Sequence, residues 1–192
     1  MGYLRSIWLG CAFCVTSGTA FAQDWSGFYG GLSVGGNLDG TIDVYDAGGL
    51  DERATLDGGS VTGLFGGYLV QRGAGVYGGE VSYSTAEIGT EEFADNRVGD
   101  FIDVKARAGY ATGRALIYGT VGYAQGTFSQ LSTEVDLDGF IYGVGVDYQF
   151  NNRFFAGAEY LKRDIEGPII MSPGSTLKAD PATLSLRVGM RF

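Results

Sequence analysis

Histidine is absent from this sequence, and cysteine occurs only at Cys11 and Cys14. Histidine is the commonest general base and transition-metal ligand, and cysteine is a frequent nucleophile and metal ligand. Serine and acidic residues are present, but no nucleophile–base pair and no calcium-loop spacing stands out. We therefore predict no catalytic residues, no metal site and no cofactor, and we expect a protein that is not an enzyme.

Long apolar runs are also missing. The longest, at 7–15, is too short for a membrane-spanning helix, which needs about 20 residues. It follows Arg5 and precedes the Ala-Phe-Ala of 20–22, the order of charge, apolar core and small-residue cleavage site seen in secretory signal peptides. Residues 1–22 are therefore predicted to be a cleaved signal peptide for the general secretion pathway, and residues 23–192 the mature domain.

Both cysteines lie inside this predicted signal peptide, so the mature part has no disulfide. Acylation of Cys11, as in a lipoprotein, is the alternative, but the apolar core continues past Cys11. Without Arg5, 12 basic residues stand against 22 acidic ones in the mature part. Such an acidic balance argues against nucleic acid as a partner.

Glycine and aromatic residues are abundant, with 34 Gly, 12 Tyr and 12 Phe against three Pro. Disordered chains lack aromatics, and collagen needs a strict glycine repeat with much proline. Short segments that alternate apolar and polar residues follow one another instead, without a sustained helical period. They predict eight β-strands, at 25–37, 60–72, 76–87, 101–112, 115–127, 139–150, 153–163 and 183–192.

The connections between these strands alternate in length. Three are tight turns with glycine or asparagine, at 72–75, 112–114 and 150–152. The other four are longer and polar, at 38–59, 88–100, 128–138 and 164–182. Short turns at one end and long loops at the other are typical of outer-membrane barrels. The predicted fold is all-β, an eight-stranded antiparallel up-and-down transmembrane β-barrel.

Apolar and charged residues separate by parity along the predicted strands. In 101–112, Ile102 and Val104 fall on one face while Lys105 and Arg107 fall on the other. A buried charge without a partner costs several kcal/mol, so charges on an inner face should pair. Extending the parity predicts a lumen charge network of four acidic and four basic residues: Glu80, Asp103, Lys105, Arg107, Asp147, Glu159, Arg187 and Arg191. For Arg191, contact with periplasmic water is the alternative.

Two kinds of barrel show such alternation. A soluble barrel of lipocalin type turns its polar face to water, whereas a membrane barrel turns it to the lumen. Long charged side chains beside glycine suit the narrow lumen of eight strands, and Tyr, Leu and Val on the other face suit lipid. We therefore favour the membrane barrel. Its inner faces are predicted to carry Gly31, Gly35, Gly79, Gly109, Gly143, Gly145, Gly157 and Gly189.

The sequence ends in an aromatic residue, Phe192, preceded at alternate positions by Val188 and Met190. This pattern resembles the signal by which the outer-membrane assembly machinery recognises its clients. Phe192 is accordingly predicted to be an assembly signal. The alternative is an aromatic residue that only ends an edge strand.

Several short motifs, in order along the chain, resemble the small, porin-like outer-membrane β-barrel family abundant in alphaproteobacteria, related in architecture to the OmpA and OmpX barrels. Each is weak alone, but together with Phe192 they cover the whole mature chain. We expect no counterpart of the periplasmic peptidoglycan-binding domain of full OmpA proteins after the eighth predicted strand. The motifs are DWSGFYGG at 24–31, VKARAGY at 104–110, GVGVDY at 143–148 and AEYL at 158–161.

The resemblance implies a location in the outer membrane of a Gram-negative bacterium, contact with lipid and lipopolysaccharide, and roles in envelope integrity or surface interaction. For some members it also implies haem binding or passage of small solutes. It supplies no catalytic residues, and barrel enzymes such as lipid A esterases rely on histidine. We favour a structural and surface-interaction protein whose lumen is plugged by paired charges. The alternative is a narrow or gated small-solute porin.

Two of the predicted loops are acidic. Clustered carboxylates attract hard cations such as Ca²⁺ or Mg²⁺, which bridge lipopolysaccharide. A hydrated, self-repelling surface is the simpler interpretation, and an extracellular ligand of these loops stays unknown. The acidic residues are Asp39, Asp43, Asp46, Asp51, Glu52 and Asp57 in the first loop, and Glu91, Glu92, Asp95 and Asp100 in the second.

Overall fold

The computed structural model describes residues 24–46, 49–55, 59–90, 93–130, 133–168 and 175–192. The predicted signal peptide and the acidic residues Asp57, Glu91 and Glu92 lie outside this part of the chain. No helix within it is long and apolar enough to cross a membrane. Its β-strands are β1 (Gly27–Asp39), β2 (Thr41–Asp46), β3 (Gly49–Thr55), β4 (Ser60–Arg72), β5 (Gly75–Thr90), β6 (Phe93–Thr112), β7 (Ala115–Gln130), β8 (Thr133–Gln149), β9 (Phe154–Pro168), β10 (Thr176–Ala179) and β11 (Ala182–Arg191).

Eight of these strands close into a ring. Their order is β1, β4, β5, β6, β7, β8, β9 and β11, and β11 pairs with both β9 and β1. Every pairing in the ring is antiparallel. The prediction of a closed eight-stranded antiparallel barrel is therefore confirmed, and the predicted strand at 60–72 has the same bounds as β4.

The prediction of four long polar loops is wrong. Strands β5 to β9 continue through most of 88–100, 128–138 and 164–168 as paired hairpins. The regions predicted as loops at 38–59 and 164–182 also contain β2, β3 and β10, with β10 pairing to β9 and β2, and β2 pairing to β3. The strands thus continue past the ring, and we call this part the strand extension.

The tight turns lie at the other end, as predicted, and we call it the short-turn end. Gly73 and Gly113 have φ angles of 61° and 58°, in the left-handed region that hairpin turns require. The third turn uses Asn151, whose side-chain oxygen accepts hydrogen bonds of 2.9 Å from the amides of Arg153 and Phe154. These three turns join β4 to β5, β6 to β7 and β8 to β9.

Side chains fill the interior in three layers. An aromatic layer closes the short-turn end and contains Trp25, Tyr29, Phe65, Leu116, Tyr118 and Phe155. Charged residues occupy the middle of the barrel. A second apolar layer lies inside the strand extension and contains Val61, Phe101, Leu137, Ile141, Leu161, Ile165 and Leu177. Around the barrel, the outer wall exposes large apolar side chains such as Leu32, Val81, Val104, Val121, Val144 and Leu186.

One glycine was assigned to the wrong face. Gly79 lies on the exposed outer wall, because its neighbour Glu80 points inward and side chains alternate along a strand. Inside the barrel, glycine makes room for larger groups: a Cβ on Gly145 would overlap the Tyr118 ring, and one on Gly157 would overlap the Asp147 carboxylate.

Candidate functional site

Seven of the eight residues predicted for the lumen lie inside the barrel and are buried. Glu80 comes from β5, Asp103, Lys105 and Arg107 from β6, Asp147 from β8, Glu159 from β9 and Arg187 from β11. Each is exposed by 6% or less. The two-residue period of a strand points side chains of one parity to one face, so strands on opposite walls deliver charges to the same level.

Glu80 is the centre of the network. Its Oε1 atom lies 2.7 Å from Nζ of Lys105, and its Oε2 atom lies 2.9 Å from Nη1 of Arg107 and 2.5 Å from Nη2 of Arg187. The Tyr29 hydroxyl donates a further hydrogen bond of 2.9 Å to Oε2. Glu80 therefore connects three cations that come from two strands, β6 and β11.

Glu159 closes the network on the opposite wall. Its Oε1 lies 2.9 Å from Lys105, and its Oε2 lies 2.7 Å from Arg187 and accepts a hydrogen bond of 3.0 Å from the Tyr118 hydroxyl. Asp147 completes the set through a 2.7 Å contact with Arg107. Three carboxylates and three cations thus form one connected, electrically neutral group across the lumen.

The fourth predicted carboxylate, Asp103, has a partner that was not predicted. Asp103 pairs with Arg163 of β9, with 2.8 Å between Nη2 and Oδ2. Arg163 was missed, although it lies on the parity of Glu159 and is 4% exposed on its side chain. Arg191 does not join the network: it is only partly buried at the short-turn end and donates to the Ser26 carbonyl at 2.6 Å. Strand β11 ends at the short-turn end, past the charged layer, so Arg191 lies too far along the barrel axis to reach the network.

Aromatic rings support the guanidinium groups. The Arg107 guanidinium lies 3.6 Å from the centroid of Tyr118, and that of Arg187 lies 4.0 Å from the centroid of Phe65. Such contacts stabilise a desolvated cation by about 2 kcal/mol. Sequence reasoning missed Tyr29 and Tyr118 as network members, although each lies two residues from other inward-facing positions, Gly31 and Thr120.

The network leaves little space. A cavity of about 30 Å³ beside it is lined by Ser33, Ser82, Asp103, Lys105, Glu159, Arg163, Thr183 and Ser185, among others. This is room for no more than a few water molecules. The Nε atoms of Arg107 and Arg187 and the Oδ1 atom of Asp147 have no hydrogen-bond partner among the described residues. Removing any one charge would leave a buried partner uncompensated, which is strongly destabilising.

The chemistry available here is electrostatic. The network holds carboxylates, cations and phenols in mutual contact, with every carboxylate already neutralised by a cation. Among the described residues, no group of three or more His, Cys, Asp or Glu is arranged to hold a metal ion. The arrangement fits obstruction of the lumen and mutual fixation of the barrel walls.

The predicted assembly residue lies at the short-turn end. The Phe192 amide donates a hydrogen bond of 2.9 Å to the Phe28 carbonyl, and its side chain is 78% exposed. Of the predicted acidic loop residues, Asp39 and Asp100 are exposed at the opposite end, where Asp100 accepts a hydrogen bond from Tyr83, and Asp43 is buried.

Comparison with known proteins places these features in a family. The family model for the outer membrane protein beta-barrel domain matches residues 8–192. The 31 kDa outer-membrane immunogenic protein of Brucella melitensis is 30% identical over 202 residues, which cover 88% of this chain and 83% of that protein. The 22 kDa outer membrane protein of Rhizobium leguminosarum is 30% identical over 179 residues, which cover 89% and 80% respectively.

Solved structures share the fold. The outer membrane protein OprG from Pseudomonas aeruginosa superposes with a TM-score of 0.53 at 18% identity, covering 89% of this chain and 98% of OprG. Neisserial surface protein A superposes with a TM-score of 0.53 at 16% identity, covering 87% and 98%. At these identities the likeness is one of fold.

Proposed function

Because the chain belongs to the family of outer membrane protein beta-barrel domains, we propose that its eight strands span the outer membrane as a closed structural barrel that presents an acidic strand extension at the cell surface. The protein is located in the outer membrane, in contact with lipid. Export would use the signal peptide at 1–22, and the three tight turns would face the periplasm, the side on which outer-membrane barrels have their short turns.

The outer wall supports this placement. On β8, the exposed side chains from Phe140 to Tyr148 alternate with buried ones, and Phe150 follows at the short-turn end. Ten residues at about 3.3 Å each, tilted by about 40°, span about 25 Å, the height of the apolar band in such barrels. Above Phe140 the outward residues Asp138 and Asp136 are charged. The apolar band thus ends where the strand extension begins.

Tyrosines mark the same boundary. Tyr83 and Tyr123 are exposed on the outer wall, and their hydroxyls donate to the carboxylates of Asp100 and Asp138. An aromatic ring that faces apolar surroundings while its hydroxyl meets a charged group is typical of the membrane–water interface.

The observation that carries the structural role is the neutral network across the lumen. A solute passing through would have to displace Glu80, Glu159 and the cations between them, each held by contacts of 2.5–2.9 Å. An apolar layer lies on either side of the charged layer. The resting barrel is therefore closed, and its strength comes from charges that connect opposite walls.

Single-channel recording in planar bilayers tests this role. Wild-type protein that migrates as a folded, heat-modifiable barrel should show no stable openings. The double variant Arg107→Ala/Asp147→Ala removes one cation and one anion together, so the remaining network stays neutral, and it should show more frequent brief conductance. Lys162→Ala/Asp180→Ala removes an ion pair on the outer surface (3.2 Å) and serves as the matched control. Stable wild-type openings would favour the small-solute porin instead.

The assembly role of Phe192 has a separate test. Phe192→Ala should slow insertion of the newly exported chain into the outer membrane, because the exposed terminal ring is the recognised group. Phe28→Ala removes an exposed aromatic side chain of the neighbouring strand and controls for the loss of apolar surface. Equal insertion of both variants would reduce Phe192 to an ordinary strand end.

A further inference from the structure

The cations of this protein differ in how they are neutralised. Six of the ten described lysine and arginine side chains form ion pairs with carboxylates: Lys105, Arg107, Lys162, Arg163, Lys178 and Arg187. The other four, Arg72, Arg114, Arg153 and Arg191, pair with no carboxylate of the described residues, and all four lie at the short-turn end. Arg191 is partly buried and donates to the Ser26 carbonyl at 2.6 Å, whereas the other three guanidinium groups are exposed, with one long 3.5 Å bond from Arg114 to the Phe150 carbonyl.

These three, which we call the rim arginines, are Arg72, Arg114 and Arg153. Arg72 is the last residue of β4, directly before the turn to β5, whereas Arg114 and Arg153 lie in the turns between β6 and β7 and between β8 and β9. In the ring of eight strands these turns occupy three of the four alternate junctions, and the fourth is the β11–β1 pair. The rim arginines are thus spread around the barrel at intervals of about a quarter turn, rather than gathered in one patch.

Opposite charge gathers at the other end. Eight acidic side chains are described there, against two lysines that are both ion-paired: Asp39, Asp43, Asp100, Asp136, Asp138, Asp164, Glu166 and Asp180. Asp24 is the acidic side chain described near the rim, beside Ser26. All the described cations that lack a carboxylate partner therefore lie at the short-turn end, although most of the described carboxylates lie elsewhere.

The height of the short-turn end relative to the membrane indicates what the rim arginines bind. Outward-facing aromatic side chains, among them Tyr68, Tyr110, Tyr148, Phe150 and Phe154, surround the turns and are 46–61% exposed. Rings of this kind lie at the headgroup level of a membrane, and arginine extends its apolar stem along the wall while its guanidinium reaches the polar layer. The turns are only two to four residues long, so the guanidinium groups stay at that level.

We propose that the rim arginines bind the phosphates of anionic phospholipids in the inner, periplasmic leaflet of the outer membrane. The planar guanidinium donates two parallel hydrogen bonds to a phosphate, and basic residues beside a membrane attract anionic lipid. Three separate sites, one at each turn, would each take one lipid. The inference rests on the proposed transmembrane placement, in which the short turns face the periplasm.

Native mass spectrometry of the full mature protein in detergent tests the proposal, with phosphatidylglycerol and phosphatidylcholine of equal chain length as probes. The wild type should bind phosphatidylglycerol more tightly, on the order of fivefold per site. The variant Arg72→Gln/Arg114→Gln/Arg153→Gln should bind both lipids equally. Lys162→Gln/Lys178→Gln removes two cations at the opposite end and should keep the wild-type preference. If the triple variant does not refold, each single variant should lose about one third of the preferential binding.

Two results would overturn the proposal. One is an equal affinity of the wild type for both lipids, and the other is a preference that survives in the triple variant. Co-sedimentation with purified peptidoglycan that depends on the rim arginines, without lipid preference, would instead assign them to the cell wall. Heat-modifiable migration, measured on every sample, separates these outcomes from failure of the membrane barrel itself: a barrel that is intact but shows no lipid preference contradicts only this inference.

Discussion

The middle of the barrel and the strand extension use the same strands in opposite ways. In the middle, acids and bases are buried in the lumen while leucine and valine face outward. In the strand extension, Leu137 and Ile165 are buried inside while Asp138 and Glu166 face outward. This difference indicates that the surroundings of the outer face determine which residues are buried in the interior. In the proposed membrane placement, lipid excludes charge from the outer face of the barrel, whereas water around the strand extension accepts charge and leaves the apolar residues to fill the interior.

Strand β8 contains the change within a few residues. Phe140 faces outward and Ile141 is buried, so the strand carries two consecutive apolar residues at the boundary. Before them the apolar positions face inward, and after them they face outward. No break in pairing accompanies the change, because β8 pairs with β7 and β9 across it in continuous register.

The strongest test of the comparison removes one charge from the lumen. Arg187→Ala leaves Glu80 and Glu159 each short of one cation, and breaking a buried ion pair costs about 3–5 kcal/mol. We expect a corresponding fall in the free energy of unfolding, measured by urea titration of the barrel in lipid vesicles. Lys178→Ala breaks the exposed pair with Glu166 and should leave that free energy unchanged. Equal effects would mean that the lumen charges are solvated.

A second test places a charge on each part of the outer wall. Val144→Arg puts a guanidinium against acyl chains near the middle of the membrane, at a cost of about 2–4 kcal/mol. Asp138→Arg makes the change beyond the boundary, where water surrounds the wall, and should have little effect on the same urea titration. If Asp138→Arg destabilised the barrel as much as Val144→Arg, the boundary at Phe140 would be misplaced.

A smaller effect is expected from the interior of the strand extension. Leu137→Ala should cost about 2 kcal/mol, the lower end for a buried leucine, because the strand extension can open locally without unfolding the barrel. Amide hydrogen exchange along β8 should show faster exchange at 133–139 than in the wild type. The control is Leu32→Ala on the outer wall of the barrel, where the side chain is 67% exposed and no cavity forms. Unchanged exchange in Leu137→Ala would show that the apolar interior is not packed.

The smallest effect concerns the junction of the two regions. Burial would raise the pKa of Asp180, but hydrogen bonds from the Thr41 amide and hydroxyl, at 2.7 and 2.9 Å, and from Lys162 lower it below its ordinary 3.8. A carboxyl group whose pKa is lower in the folded state than in the unfolded state stabilises the folded state at pH values above the unfolded-state pKa. This stabilisation is lost as the pH falls through the folded-state pKa. Protection of the Thr41 amide should therefore decline below about pH 3.8, and Asp180→Asn should remove this pH dependence. A decline that persists in Asp180→Asn would point to another acid.

The ring of strands could be predicted because an apolar outer face and a charged lumen impose a strict two-residue period. Parity in the strand at 101–112 places Asp103, Lys105 and Arg107 on the inner face, and the same period extends to Glu159 and Arg187. The family could also be predicted, because the motifs that indicate it lie on those strands. Asparagine and glycine located the tight turns for local backbone reasons.

The strand extension could not be predicted in this way, because its polar residues resemble a loop when apolar residues are expected outside. The segment at 133–139 alternates as regularly as the barrel, but in the opposite sense, with Val135, Leu137 and Gly139 on the parity of Ile141. The prediction missed Arg163 because it is the last residue of the predicted strand at 153–163. It included Arg191 because parity gives the face of a residue but not its position along the barrel axis. The partners of each charge depend on which walls face each other, which a single strand does not reveal.

The neutral network also limits how this protein can change over evolutionary time. Each carboxylate in it, and Asp103 beside it, contacts a cation on another strand, so a mutation at one position is tolerated only with a compensating mutation far away in sequence. Homologous chains should therefore show correlated substitutions at positions 80 and 187, 103 and 163, and 107 and 147. Outward residues that have no such partner, such as Val144, can change one at a time.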